Sequence, residues 1–129
     1  MKNRIGLVLL VAVFLVLAGC RNKPVYNVEQ SPVITTVQNL SQSDIARAIK
    51  RAGGTLGWVM KDASESEIIG VLNLRKHMAK VSIRYTAEFY SIKYLDSVEL
   101  GYDGSTIHNN YNGWIKNLDN GIQVQLNFF

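Results

Sequence analysis

Cysteine is almost absent from this chain: Cys20 is the only one in 129 residues. A single thiol excludes an intramolecular disulfide framework and any metal site built on several cysteines. Proline is nearly as scarce, with only Pro24 and Pro32. Residues 33–129 therefore lack the residue that most often interrupts helices and strands. The ten glycines follow no three-residue period, which excludes a collagen-like chain. No apolar run reaches the roughly 20 residues of a membrane-spanning helix; the best, residues 5–18, falls short. Hydrophobic residues at 47% and charged residues at 19% give an ordinary globular composition, and the length suits one domain.

That short apolar run has the layout of a processing signal. Lys2 and Arg4 precede it, and Leu17-Ala18-Gly19-Cys20 closes it. The ending resembles the lipobox of bacterial lipoproteins. The resemblance implies that the leader, residues 1–19, is removed, that the Cys20 thiol takes a diacylglycerol, and that the new amine is acylated. Covalent lipid on Cys20 is then the only added group expected, with no cofactor and no metal. Several acyl chains hold a protein on a bilayer far more firmly than one. In enterobacterial sorting an aspartate after the lipidated cysteine retains a lipoprotein in the inner membrane. Arg21 stands there instead, which points to the outer membrane and a domain facing the periplasm. The formal charge of +4 falls to +2, twelve basic residues against ten acidic, once Lys2 and Arg4 leave. A balance so close to neutral makes no electrostatic case for nucleic acid.

Residues 21–32 hold both prolines and no apolar period. They read as a flexible tether with a reach of roughly 40 Å at about 3.3 Å per residue. Residues 33–129 read as a single domain. A short β-branched stretch at 33–37 suggests an edge strand. A helix follows, with Ser41 as N-cap, Asp44 three residues on, and Ile45, Ala48, Ile49 and Ala52 in one stripe that Gly53-Gly54 ends. Residues 55–60, with Trp58, suggest a strand before a polar turn at 62–66. Two more hairpins come next. A turn at Ala87-Glu88 sets Tyr85 against Tyr90, Ile83 against Ile92 and Val81 against Tyr94; a turn at Lys76-His77 sets Leu72 against Val81 and Ile68 against Tyr85. From 103–105 onward Ile107, Tyr111, Trp114, Ile115 and Leu118 recur at helical spacing. Ile122, Val124, Leu126 and Phe128 alternate, so helix and strand compete there. The pattern predicts an α+β domain: an antiparallel sheet of about four strands with two helices packed on one face, in the order β-α-β-β-β-β-α.

Four segments, Arg75-Lys76-His77, Val81-Ser82-Ile83-Arg84-Tyr85, Tyr90-Ser91-Ile92-Lys93-Tyr94 and Ile107-His108-Asn109-Asn110-Tyr111-Asn112-Gly113-Trp114, follow in order. Together they resemble a family of small, uncharacterised bacterial lipoproteins from about residue 41 to residue 118. The resemblance implies a lipid anchor and the same α+β domain, and it brings no catalytic residue.

A search for chemistry in the residues finds no Gly-x-Ser-x-Gly elbow, phosphate-binding glycine loop or His-Glu-x-x-His helix. No catalytic residue is assigned. Two groups remain as candidate binding residues. Lys80, Arg84 and Lys93 share the open sheet face, where they would suit an anionic glycan or an acidic partner, or serve only to keep that face soluble. His108 and Asn112 lie one turn apart on the last helix, where they would either form a site or dock helix to sheet. The sequence therefore reads as a lipid-anchored envelope protein that binds or supports, with an envelope protein or glycan as partner. The alternatives are an enzyme acting on an envelope polymer through His108, and an accessory subunit of a secretion or pilus machine.

Overall fold

The computed structural model describes residues 21–129. The leader and Cys20 lie outside the described residues. Among the described residues the fold is α+β, with two helices, a five-stranded antiparallel sheet and a separate two-stranded sheet. In chain order the elements are β1 (Asn22–Pro24), β2 (Val28–Pro32), α1 (Gln42–Thr55), β3 (Val59–Ser64), β4 (Glu67–Leu74), β5 (His77–Tyr85), β6 (Phe89–Val98), β7 (Thr106–His108) and α2 (Asn109–Gln125). The large sheet runs β2-β6-β5-β4-β3, and β1 pairs with β7.

Helix α1 forms where its cap and stripe demand it. Ser41 accepts from the Asp44 amide while Asp44 accepts from the Ser41 amide, which closes a capping box. Ile45, Ala48, Ile49 and Ala52 are buried. The helix runs through Gly53-Gly54 to Thr55 rather than ending there; Gly57, at φ +89°, is the left-handed residue that turns the chain into β3. Helix α2 lies against α1, with Gly121 at the contact: a Cβ there would sit 3.5 Å from Ala52 Cβ and Leu56 Cδ1, in ordinary van der Waals contact. Tyr111, Ile115, Leu118 and Ile122 face inward, over Ile68, Val81, Ile83 and Ile92 of the sheet.

The hairpin β5–β6 has the register expected from the pattern, with Tyr85 opposite Tyr90, Ile83 opposite Ile92 and Val81 opposite Tyr94. The hairpin β4–β5 is displaced by two residues. Its turn is Arg75-Lys76, so Leu72 meets Ala79 and Ile68 meets Ile83. An even shift keeps every side chain on its expected face.

Three expectations are corrected at the ends of the domain. Residues 33–35 are irregular and bends follow at 36–39, with no strand. Ile107 belongs to β7, and the last helix starts only at Asn109, then continues without a strand to Gln125. The expected tether is the largest departure, because β1 and β2 lie within residues 21–32 and β2 is the fifth strand of the sheet. Edge strands tolerate proline, and here Pro24 and Pro32 each occupy the last position of their strand. A register shift between Val28 and Ser31, with Gln30 at φ +50°, removes the regular alternation that marks a strand in sequence.

Candidate functional site

His108 and Asn112 act on the N-terminal segment. His108 is the N-cap of α2, and its Nδ1 accepts from the Asn110 amide at 3.1 Å. Its backbone N–H donates to the Leu100 carbonyl at 2.9 Å, while the Asn109 amide donates to the Arg21 carbonyl at 3.0 Å. Asn112 is buried, one of the few polar side chains that are. Its Oδ1 accepts from the Tyr26 amide and its Nδ2 donates to the Pro24 carbonyl, both at 2.9 Å. One carboxamide thus satisfies an acceptor at the end of β1 and a donor just beyond it, where the chain leaves β1 for β2. That is the docking role, with β1 as the docked element.

The cations of the open sheet face have acidic neighbours. Arg84 lies 3.4 Å from Glu67 and Lys93 lies 3.9 Å from Glu29, while Lys80 stands opposite Asp96 in the ladder. Ser82 between them is buried and donates to Glu67 at 2.6 Å. The three basic residues share the face, as their alternation requires, but the acids divide it into separate pairs. Beside them a shallow hollow of about 370 Å³ is lined by Val59, Lys61, Ile69, Val71, Asn73 and Lys80.

The larger concavity is a groove of about 780 Å³ between the first half of α1 and the β3–β4 turn. Helix α1 contributes Gln42, Ser43, Ala46, Arg47 and Lys50; the turn contributes Asp62, Ala63, Ser64 and Glu65; Tyr85 closes one side. Small residues, Ala46 and Ala63, leave the volume open. Lys50 pairs with Asp62 at 3.0 Å, and Gln42 Nε2 donates to the Glu65 carbonyl at 2.8 Å, so the two walls are linked. Arg47 is held by Asp44 at 2.6 Å. Burial, followed by the charge of Asp62, raises the Tyr85 pKa, so its hydroxyl stays protonated and can donate. The lining presents amide, hydroxyl, guanidinium and carboxylate groups around a mainly apolar floor. Such a set hydrogen-bonds a polar ligand from several directions.

None of the groove residues is among the candidate binding residues read from the sequence. They come from three separated stretches, and only the pairing of β3 with β4 beside α1 assembles them; no local motif marks them. His108 lines neither this groove nor the hollow. Among the described residues no three or more His, Cys, Asp or Glu side chains cluster to hold a metal ion, and no helix is long and apolar enough to cross a membrane. Comparison with protein-family models, curated proteins and solved structures finds no match.

Proposed function

We propose that this chain is a lipid-anchored protein of the bacterial envelope, held at the outer membrane with its domain facing the periplasm, and that the domain works by binding. The lipobox resemblance at residues 17–20 supports the anchor, and so does the resemblance of residues 41–118 to small bacterial lipoproteins. The groove between α1 and the β3–β4 turn supports the binding role. Its mixture of donors and acceptors at both walls suits a hydroxyl-rich envelope glycan, whose sugar hydroxyls both donate and accept.

Two measurements test the reading. Cells fed a clickable fatty acid should label the wild-type protein and leave Cys20→Ala unlabelled, since no other thiol exists; label on the variant would overturn the anchor. Titration of the protein with soluble envelope glycan fragments, followed by NMR, should move the amides of α1 and the β3–β4 turn. Ser43→Trp should abolish those shifts by filling the groove. Shifts confined to another face, or shifts unaffected by the tryptophan, would overturn the binding site.

A further inference from the structure

The chain between Cys20 and the fold is not free. A single peptide link, about 3.8 Å from Cα to Cα, joins Arg21 to Cys20. The Arg21 carbonyl already accepts from Asn109, and Asn22 pairs with His108. From there β1 pairs with β7, and β2 then runs along the first half of β6, from Val28 opposite Ile92 to Pro32 opposite Phe89. An anchor on Cys20 therefore leaves no slack, and one end of the domain is fixed against the lipid.

A chain of contacts identifies what else lies at that end. His108, beside Arg21, donates its amide to Leu100, and the carbonyl of Glu99 meets His77 Nδ1 at 2.8 Å. His77 follows the β4–β5 turn, Arg75-Lys76, and Val98 pairs with Met78 just inside it. Arg21, Arg75 and Lys76 are exposed and join no ion pair among the described residues. Leu74 and Val98, at 46% and 48% exposure, stand among them, and exposed Glu99 follows Val98, so the three basic side chains outnumber the acid there. The opposite end carries Glu65 at the β3–β4 turn and Glu88 at the β5–β6 turn, with Arg47 and Lys50 of the groove beside Glu65. Basic side chains beside exposed apolar ones, at the end nearest the anchor, match the phosphates and the glycerol level of an anionic leaflet.

We infer that the domain stands directly on an anionic bilayer, docked through Arg21, the Arg75-Lys76 turn, Leu74 and Val98, with the groove facing away from or along the surface rather than swinging on a tether. This rests on the lipid-anchor reading. The test uses the lipidated full chain in vesicles of phosphatidylcholine with and without phosphatidylglycerol, carrying one spin label at Leu74→Cys or at Glu88→Cys. With phosphatidylglycerol present, the label at 74 should become accessible to lipid-soluble oxygen and shielded from a water-soluble nickel complex, while the label at 88 stays in water. Arg75→Asn with Lys76→Glu should return the 74 label to water without releasing the protein from vesicles; asparagine accommodates the φ of +56° at residue 75, so the turn is kept. Both labels equally water-exposed would overturn the docking and leave the anchor standing. A mass spectrum of the Cys20 peptide without lipid would overturn the anchor instead. The docking end would then be scored by flotation of the unlipidated protein with phosphatidylglycerol vesicles, with salt-sensitive flotation supporting it and none overturning it.

Discussion

Asn112 and Tyr111 are adjacent, both buried, and opposite in what their polar atoms do. The Asn112 carboxamide bonds Tyr26 and Pro24, whereas the Tyr111 hydroxyl has no partner among the described residues. Burial raises the Tyr111 pKa, so the hydroxyl stays neutral. An unmade bond from a buried hydroxyl costs stability, whereas a made one contributes only when both partners stay. Asn112→Ala strands two backbone groups and should lower stability by about 1–3 kcal/mol. Tyr111→Phe removes an orphan and should leave the denaturation midpoint unchanged or raised. Urea melts of the two variants beside the wild type decide it, and a loss at Tyr111→Phe equal to that at Asn112→Ala would mean the hydroxyl has a partner. The sequence placed Asn112 on the correct helix and left open whether it was a site or a dock. Its partners lie more than 80 residues earlier in the chain, in a segment with no strand pattern, so nothing local could name them.

At the level of elements, legibility follows the strength of the local signal. The capping box and stripe of α1 and the alternation of β5 and β6 are dense local patterns, and they place those elements correctly. Arg75-Lys76 lacks the glycine or asparagine that would pin a turn, so pattern fixed the face of β4 but not its register. Ile83 is fully buried between Ile68 and Ile92, while Arg84 points outward to Glu67. Ile83→Ala should cost about 2–5 kcal/mol, as large-to-small core changes do, and Arg84→Ala much less. Equal losses in denaturant melts would mean that the two faces are exchanged. The loop before β7 titrates. Asp103 accepts from the Thr106 and Ser105 amides and from both hydroxyls. The Thr106 amide, followed by that of Ser105, lowers its pKa from 3.8 to about 2. A carboxylate depressed in the folded state stabilises above its unfolded pKa and loses that contribution as pH falls toward the folded value. Thermal melts between pH 4 and pH 2 should therefore fall more steeply in the wild type than in Asp103→Asn, which has no proton to take up there. Parallel profiles would remove Asp103 from the acid response.

Across the described residues as a whole, the decisive feature is that strand pairing is already present at residue 22 rather than first near residue 33. The polar, proline-bearing stretch from 21 to 32 has the composition of a linker, yet backbone pairing needs only a matching edge, and β6 and β7 supply two. Val28 is buried in the core, Val25 and Val33 pack against it, and Gln123 of α2 reaches the Pro32 carbonyl at 3.3 Å. Removing residues 21–32 would uncover the edge of β6, expose Ile107 of β7, and leave the Asn112 carboxamide without partners. An uncovered edge strand is also a template for pairing between chains. The truncated domain should melt well below the full domain and aggregate on heating, and in the intact protein the amides of Val25 and Tyr26 should resist hydrogen exchange because they bond to Ser105 and Asn112. A tether would give the reverse: an unchanged melting temperature after truncation, rapid exchange at both amides, and proteolytic cleavage confined to 21–32. The two outcomes also separate the two ways an anchored domain can sit at a bilayer. If Cys20 carries lipid, a free linker would let the groove sample any height within its reach, whereas strands that begin at Asn22, two residues on, would hold it at a fixed height.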